Sequence, residues 1–237
     1  PRRARPGGPP PNPKTPAEGA HDSFEHAGAA GGFIDRYGYP FCRGRMLNIL
    51  EKDHGQYDTV RSLFWATGAA LLVRPTDWNA VGGFDPHFFA HFEEIDFCWR
   101  LRARARKIVC IPESVVYHVG GGTLPAEHPR KTYLNFRNSL TMLYKNLPTD
   151  ELRHVLRVRK WLDGVAWLKY FATGDFANAN AVRRARRDFH KWQHLFDSAR
   201  RQNLESTTLF NIPERIQRSL IYAFYVQGKK TFAQFMS

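Results

Sequence analysis

Apolar positions along the chain fall into two regimes that change near residue 128. Before it, short apolar runs are separated by glycine, proline and charge. After it, apolar residues recur at helical spacing. The first long run, Leu63–Val73 (LFWATGAALLV), is almost continuous, holds small residues from Ala66 to Ala70, and is closed by Arg74 and Pro75. Such a run predicts a strand buried on both faces, whose small residues let another group approach its backbone. A short helix is expected next, capped by Thr76 or Asp77, burying Trp78, Ala80 and Val81, and stopped by Gly82 and Gly83 in left-handed geometry. The chain then turns at Asp85-Pro86 and enters a second helix near Glu93. Acids lie in its first turn and Arg102, Arg104, Arg106 and Lys107 towards its end, matching the helix dipole. KIVCIP and SVVYHV read as two short strands broken by Pro112, with Gly120 to Gly122 a flexible link.

From Pro129 onwards Tyr133, Phe136, Leu140, Leu143 and Tyr144 predict a helix. A break at Leu147-Pro148 precedes Asp150, the expected cap of a second helix carrying Leu152, Val155, Leu156, Leu162 and Val165. Two more helices are expected near 177–202 and 213–227. Residues 24–45, rich in glycine and aromatics, suit an irregular packed region. Residues 1–23 are dense in Pro, Arg and Gly and are expected to be a disordered tail. The order strand, helix, strand followed by helices is an α/β pattern with a helical C-terminal extension. The corresponding units are a tail (1–23), an α/β region (24–147) and a basic helical region (148–237).

Composition changes this picture in one respect. Of 237 residues, 35 are Lys or Arg and 22 Asp or Glu, a formal charge of +13. Such an excess suits nucleic acid, an anionic membrane face or a phosphorylated substrate. With 43% hydrophobic residues the chain can bury a sizeable core, which excludes global disorder. Cys42, Cys98 and Cys110 are odd in number and lack CxxC spacing, which argues against a disulfide framework and for a reducing compartment. No run approaches the roughly 18 apolar residues of a membrane span, and the start of the chain has no secretory apolar region.

Candidate chemistry centres on Glu93, Glu94 and Asp96 at the mouth of the second helix. Three carboxylates within four residues repel one another unless a cation, a helix N-terminus or a substrate offsets the cost. Asp96 and Arg100, at i, i+4, are placed to pair. Glu94 lies on another stripe, with Phe97 and Cys98, where its carboxylate is free to accept a proton from a bound group. The pattern alone favours plain complementarity to the helix dipole over a catalytic role. His118 ends an apolar strand just before three glycines, a place from which imidazole can ligate a divalent metal. His87 and His91, at i, i+4, lack HExxH or a cysteine pair to support zinc. There is no GxSxG elbow, no GxxxxGK[ST] loop and no GxGxxG.

Taken in order, Thr67 to Arg74, the GGFD of Gly82 to Asp85, EEIDFCWR from Glu93 to Arg100, and Tyr117-His118 with its glycines resemble the second half of the catalytic domain of family 2 glycosyltransferases. The resemblance covers about Phe24 to Leu147, and Arg137-Asn138 on the next helix is similar to the pattern of rhamnosyl- and related polysaccharide transferases. It implies a partial GT-A-like mixed sheet with flanking helices. It also implies an inverting transfer from a nucleotide-sugar donor to a hydroxyl of a glycan or lipid-linked acceptor. On the same basis Glu94 is the general base, glutamate standing where aspartate is commoner. Thr67, Gly68, Glu93 and Asp96 are substrate-side residues, and His118 is a ligand of a divalent metal, Mg or Mn, that stabilises the departing diphosphate. The family's nucleotide-binding half and its DxD motif are not found before Ala66, so the chain is expected to be the acceptor-side half of such an enzyme.

The basic helical region, with Arg153, Arg157, Arg159, Lys160, Lys169, Arg183, Arg184, Arg186 and Arg187, is expected to rest on the cytoplasmic face of an anionic membrane. The alternative is a non-catalytic basic module for anionic membrane or nucleic acid. No helix-turn-helix, zinc finger or RNP signature supports a specific nucleic-acid partner.

Overall fold

A computed structural model describes Phe24 and residues 30–114 and 128–237. The fold is mixed α/β: a small mixed sheet and a two-stranded ribbon on one side, and a set of helices on the other. The first part is a meander of strands β1 (Gly32–Asp35), β2 (Pro40–Cys42), β3 (Arg45–Met46) and β4 (Ile49–Leu50). The expectation of an irregular region here is corrected. Turns at Gly38 and Gly44, both with positive φ, reverse the chain every few residues, so the strands are too short to leave an alternating signature in the sequence.

The second correction concerns Leu63–Val73. Strand β5 is only Arg61–Leu63, pairing antiparallel with β6 (Ile108–Cys110). Phe64 and Trp65 continue into the core, and Trp65 bridges to Gly32, joining ribbon to meander. Beyond Ala66 the small residues offer nothing to pack. Thr67 caps a 3-10 turn at Gly68–Ala70, and Leu72 stands in solvent. Helix α1 (Pro75–Val81) starts with proline in its first turn, where the missing N–H costs nothing, so neither Thr76 nor Asp77 caps it. Gly82 and Gly83 do end it in the left-handed region. Helix α2 (Glu93–Ala103) starts at the expected residue.

Helix α3 (Pro129–Asn146) and helix α4 (Thr149–Ala172) are separated at Leu147-Pro148. Pro148 takes the cap position and Asp150 falls in the first turn of α4 rather than capping it. The helix expected over 177–202 is α5 (Phe176–Trp192), a 3-10 turn, and α6 (Asp197–Glu205). The helix expected over 213–227 is instead strand β7 (Arg215–Ile216) followed by α7 (Leu220–Tyr225), and α8 (Phe232–Met236) ends the chain. β7 lies parallel to β1, giving the order β4-β3-β2-β1-β7. The SVVYHV strand beyond Ser114, the Gly120 to Gly122 link and the tail 1–23 lie outside the described residues.

One apolar core joins these parts. Phe33 and Phe41 of the meander meet Phe232 and Phe235 of α8, with ring centroids 5.0–6.0 Å apart. Phe64 meets Trp99 of α2 edge-on at 5.2 Å. Gly32 is demanded by this packing, since a Cβ there would sit 2.1 Å from the Trp65 ring. Asp35 at the end of β1 is wholly buried. Its Oδ1 accepts from the backbone N–H of Tyr37 and Tyr39, and its Oδ2 from that of Leu220. Burial raises its pKa to about 6 against those hydrogen bonds and the charge of Arg159.

Candidate functional site

The residues around the mouth of α2 divide into a frame and two carboxylates left over. The frame begins with Arg100, whose guanidinium is buried on the inner face of α2. Its Nε donates to Asp96 Oδ2 at 2.9 Å, and its two terminal nitrogens donate to the carbonyls of Val81 and Gly83 in the glycine turn. Lys145, near the end of α3, places Nζ 2.7 Å from Asp85 Oδ2 and 2.9 Å from Asp96 Oδ2. Asn146 donates to Asp96 Oδ1 at 2.8 Å. The glycine turn, α2 and the end of α3 are thus locked by one buried network with two carboxylates and two cations. The charge of Lys145 and hydrogen bonds from Lys145 and His87 hold Asp85 near pKa 2 although burial opposes them. The Asp96 to Arg100 pairing is as expected. Asp96 as a contact for substrate is not what this geometry offers: its side chain is fully buried and both oxygens are bonded within the protein, so its part is to position α2.

The segment leading into α2 is a second support. Phe89, His91 and Phe92 all have positive φ, 65°, 68° and 72°. For bulky residues this conformation costs about 1–3 kcal/mol each and persists only where the surroundings impose it. Here the imposition comes from Asn138 of α3. Its Nδ2 donates to the carbonyls of Phe88, Ala90 and His91 at 3.0, 2.8 and 2.7 Å. Arg137 donates to the carbonyls of His87 and Phe88 and to the Oδ1 of Asn138, which fixes the orientation of the amide. The Arg-Asn pair noted in the sequence therefore clamps the turn from which Glu93 and Glu94 emerge.

Those two glutamates remain. In each, the Oε2 atom is shielded from solvent and has no hydrogen-bond partner among the described residues. Burial raises the Glu93 carboxyl above its ordinary range. Burial, with the neighbouring charge of Glu93, pushes Glu94 up to about 7. A carboxyl in that range can take a proton near neutral pH and return it. Glu94 shares its stripe of α2 with Cys98, whose sulfur is met by the backbone N–H of Ala66 and whose thiol burial pushes up to about 12. That face of α2 is therefore set against the segment leading to Thr67 and Gly68. Thr67 Oγ1 accepts from the N–H of Ala69. At Gly68 an added Cβ would meet nothing within 4 Å, so the space beside it is open.

A cavity of about 380 Å³ lies alongside. Tyr39, Phe41, Trp65, Phe92 and Phe136 line it with Asn135 and Ser139. Phe92 immediately precedes Glu93 and Trp65 stands two residues before Thr67, but neither glutamate nor Thr67 or Gly68 lines the cavity, whose wall also includes Arg45 and Arg159. Sequence reasoning found Glu93, Glu94 and the 67–68 segment but missed Lys145, Asn146 and the clamping role of Asn138. Their only signal was polarity at Asn138, Thr141 and Lys145, every third or fourth position on an otherwise apolar stripe of α3, all of them buried. His118 lies outside the described residues. Among the described residues no group of three or more His, Cys, Asp or Glu is placed to hold a metal ion. His87 instead pairs with Asp85 at 2.7 Å, and the shielded Nε2 of His91 has no partner among the described residues.

Parts of the chain are similar to curated bacterial proteins. Over 71 residues, 29% of the chain, it is 35% identical to an N-acetylglucosaminyl-diphospho-decaprenol L-rhamnosyltransferase of Mycobacterium tuberculosis, covering 23% of that protein. Over 109 residues, 45% of the chain, it is 28% identical to Rhamnosyltransferase WbbL of Escherichia coli, covering 38% of it. Over 96 residues, 40% of the chain, it is 25% identical to O-antigen biosynthesis protein RfbC of Myxococcus xanthus, covering 8% of it. The chain thus matches less than two fifths of the length of each of these relatives. No family model matches the chain, and no solved structure matches it.

Proposed function

We propose that this chain carries the acceptor side of an inverting glycosyltransferase, built on a GT-A-like frame, with Glu94 as its general base. The observation that carries the reading is the contrast among four neighbouring carboxyls. Asp85 and Asp96 are consumed by the frame, whereas Glu93 and Glu94 keep a shielded, unpartnered oxygen on a helix face set against the open segment at Gly68. A buried carboxylate without a donor is costly, and a substrate hydroxyl would supply the missing hydrogen bond. The names of the three relatives agree with it, two being rhamnosyltransferases and one an O-antigen biosynthesis protein.

In the proposed step the acceptor hydroxyl lies against Glu94 Oε2. As the hydroxyl oxygen attacks the anomeric carbon of a nucleotide-sugar, its proton passes to Glu94. The bond from that carbon to the diphosphate oxygen breaks, the electron pair leaves with the nucleotide, and the new glycosidic bond forms with inversion. Thr67, Gly68 and Glu93 border the acceptor and sugar, the absence of a side chain at Gly68 leaving room for a ring. Donor and acceptor are proposed by class: a nucleotide-activated sugar, rhamnose foremost, and a glycan or lipid-linked hydroxyl. A divalent ion, Mg or Mn, held in part by His118 belongs to the same proposal, and would stabilise charge on the departing diphosphate. The described residues provide no cluster to hold it, and no step here runs through it.

The test is Glu94→Gln in an active full-length form of the protein, using labelled nucleotide-sugars and lipid-linked acceptors. The transfer rate should fall by at least about tenfold, since general bases contribute about 10²–10⁴-fold. In the parent protein the rate should rise with pH through about 7 and then level, because the base must be ionised. A variant retaining more than a tenth of the rate would assign the proton transfer to another group.

A further inference from the structure

The outer face of α4 is unlike that of an ordinary surface helix. Val155, Arg159 and Asp163 form its inner, buried stripe. On the opposite side of its C-terminal half stand Trp161, Val165, Leu168 and Phe171, at i, i+4, i+7 and i+10, with exposures of 79%, 64%, 56% and 49%. Phe176 at the start of α5 extends the strip, 60% exposed, with its ring 5.3 Å from that of Phe171. Gly164 and Ala172, also exposed, fall on the same side, so no polar side chain interrupts the strip over three turns.

Along α4 charge flanks this strip in one sign only, the nearest acid beyond it being Asp175, which caps α5. Lys160 and Lys169 border its two edges, and the exposed face of the preceding turns carries Arg153, His154 and Arg157. Between Leu152 and Gly174 the sole acid is Asp163, which is buried and bonded to Arg159 and Arg186. Among the described residues no helix is long and apolar enough to cross a membrane. A tryptophan and aliphatic ridge bordered by lysines on a non-spanning helix has the chemistry of an interfacial element: rings and branched chains enter the acyl boundary while the cations meet lipid phosphates. Nucleic acid would use the cations but has no use for a continuous apolar ridge.

We infer that α4 docks this protein on an anionic bilayer surface, with Trp161, Val165, Leu168 and Phe171 inserted at the headgroup boundary and Lys160 and Lys169 against lipid phosphates. The inference goes beyond the proposed transfer reaction and does not depend on it. Of the basic residues expected to face lipid, Arg159 is buried and bonded to Asp163 and drops out; the strip adds an inserted face that the remaining cations alone do not define.

The experiment is flotation of the whole chain with phosphatidylcholine vesicles made with and without phosphatidylglycerol, at low and high salt. Parallel runs use Trp161→Ser/Leu168→Ser and Lys160→Glu/Lys169→Glu. All four positions are exposed, and circular dichroism verifies that each variant is folded. The parent chain should float with the anionic vesicles, and each variant should weaken partitioning by at least about tenfold. Quenching of tryptophan fluorescence by lipids brominated near the headgroup should fall in Trp161→Phe and be lost only when Trp167, whose ring stacks on Phe171 at 5.3 Å, is also changed to Phe. Absence of flotation with anionic vesicles at low salt overturns the inference. So does binding that survives the Trp161/Leu168 change, since charge alone would then explain it. A stable dimer in solution that dissociates on that change, without vesicle binding by the parent, would assign the strip to a second copy of the chain instead.

Discussion

Replacing Asn138 by alanine tests the clamp that holds the Glu93-Glu94 turn. The Asn138 side chain is buried, and its amide has two hydrogens for three carbonyls, so one hydrogen is shared. Each bond contributes about 0.5–1.5 kcal/mol net, and a carbonyl left buried without a donor costs about 1–3 kcal/mol. Phe88 is buried, whereas Ala90 and His91 are half-buried, so water can replace part of what those two carbonyls lose. Loss of the clamp also lets Phe89, His91 and Phe92 leave the left-handed region, which returns part of about 1–3 kcal/mol per residue. The net expectation is a loss of about 2–4 kcal/mol in urea unfolding, together with faster amide exchange over residues 88–94. Asn138→Asp sharpens the test. It keeps the shape and the acceptor for Arg137 but turns a second acceptor towards three carbonyls, so it should cost at least as much at pH 7. Its deficit should shrink in acid, where the introduced carboxyl binds a proton and regains one donor. An alanine variant within about 0.5 kcal/mol of the parent, with unchanged exchange over 88–94, would refute the clamp.

Two further outcomes follow from the same network. Glu94→Gln should stabilise the fold at pH 8 and have little effect below pH 4.5. The raised carboxyl pKa means the parent loses stability as pH rises from the ordinary value of 4.5 to about 7, a loss glutamine does not share; thermal melts at both pH values check it. Lys145→Met leaves Asp96 and Asp85 without their shared cation and should cost about 3–5 kcal/mol at neutral pH. Because Asp85 is held near pKa 2, against an ordinary 3.8, its share of that deficit should fade as pH drops from 3.8 to 2, which urea titrations across that range would show.

What was legible in the sequence was punctuation. Gly82-Gly83, Asp85-Pro86 and Leu147-Pro148 mark real boundaries, because proline and left-handed glycine act locally and need no distant partner. The Leu63–Val73 run misled for the opposite reason. Apolar character predicts a strand only if a neighbouring strand is there to pair with it; beyond Trp65, Leu71 and Val73 are only partly covered by the core and Leu72 stands in solvent. The meander escaped notice because its strands exist through partners brought by turns, and β7 because its partner β1 lies about 180 residues earlier. At the site, helical spacing already separated Asp96, paired with Arg100, from Glu94 on another stripe. What it could not report was how completely Asp96 is consumed, because Lys145 and Asn146, which take its remaining capacity, lie some 50 residues downstream.

The meeting of Phe33 and Phe41 with Phe232 and Phe235 has a consequence for how this protein is made. About 200 residues separate Phe33 from Phe232. At a synthesis rate of about 5–20 residues per second, the meander waits roughly 10–40 s after leaving the ribosome before its core can close. During that interval its phenylalanines and the edge of β1 that β7 later covers lack their partners. A ribosome that stops before residue 215 releases a chain whose first sheet cannot be completed at all. The segment from residue 215 to residue 236 is thus the late-made half of an early-made core: until it is synthesised, the apolar face of the meander has nothing to close it.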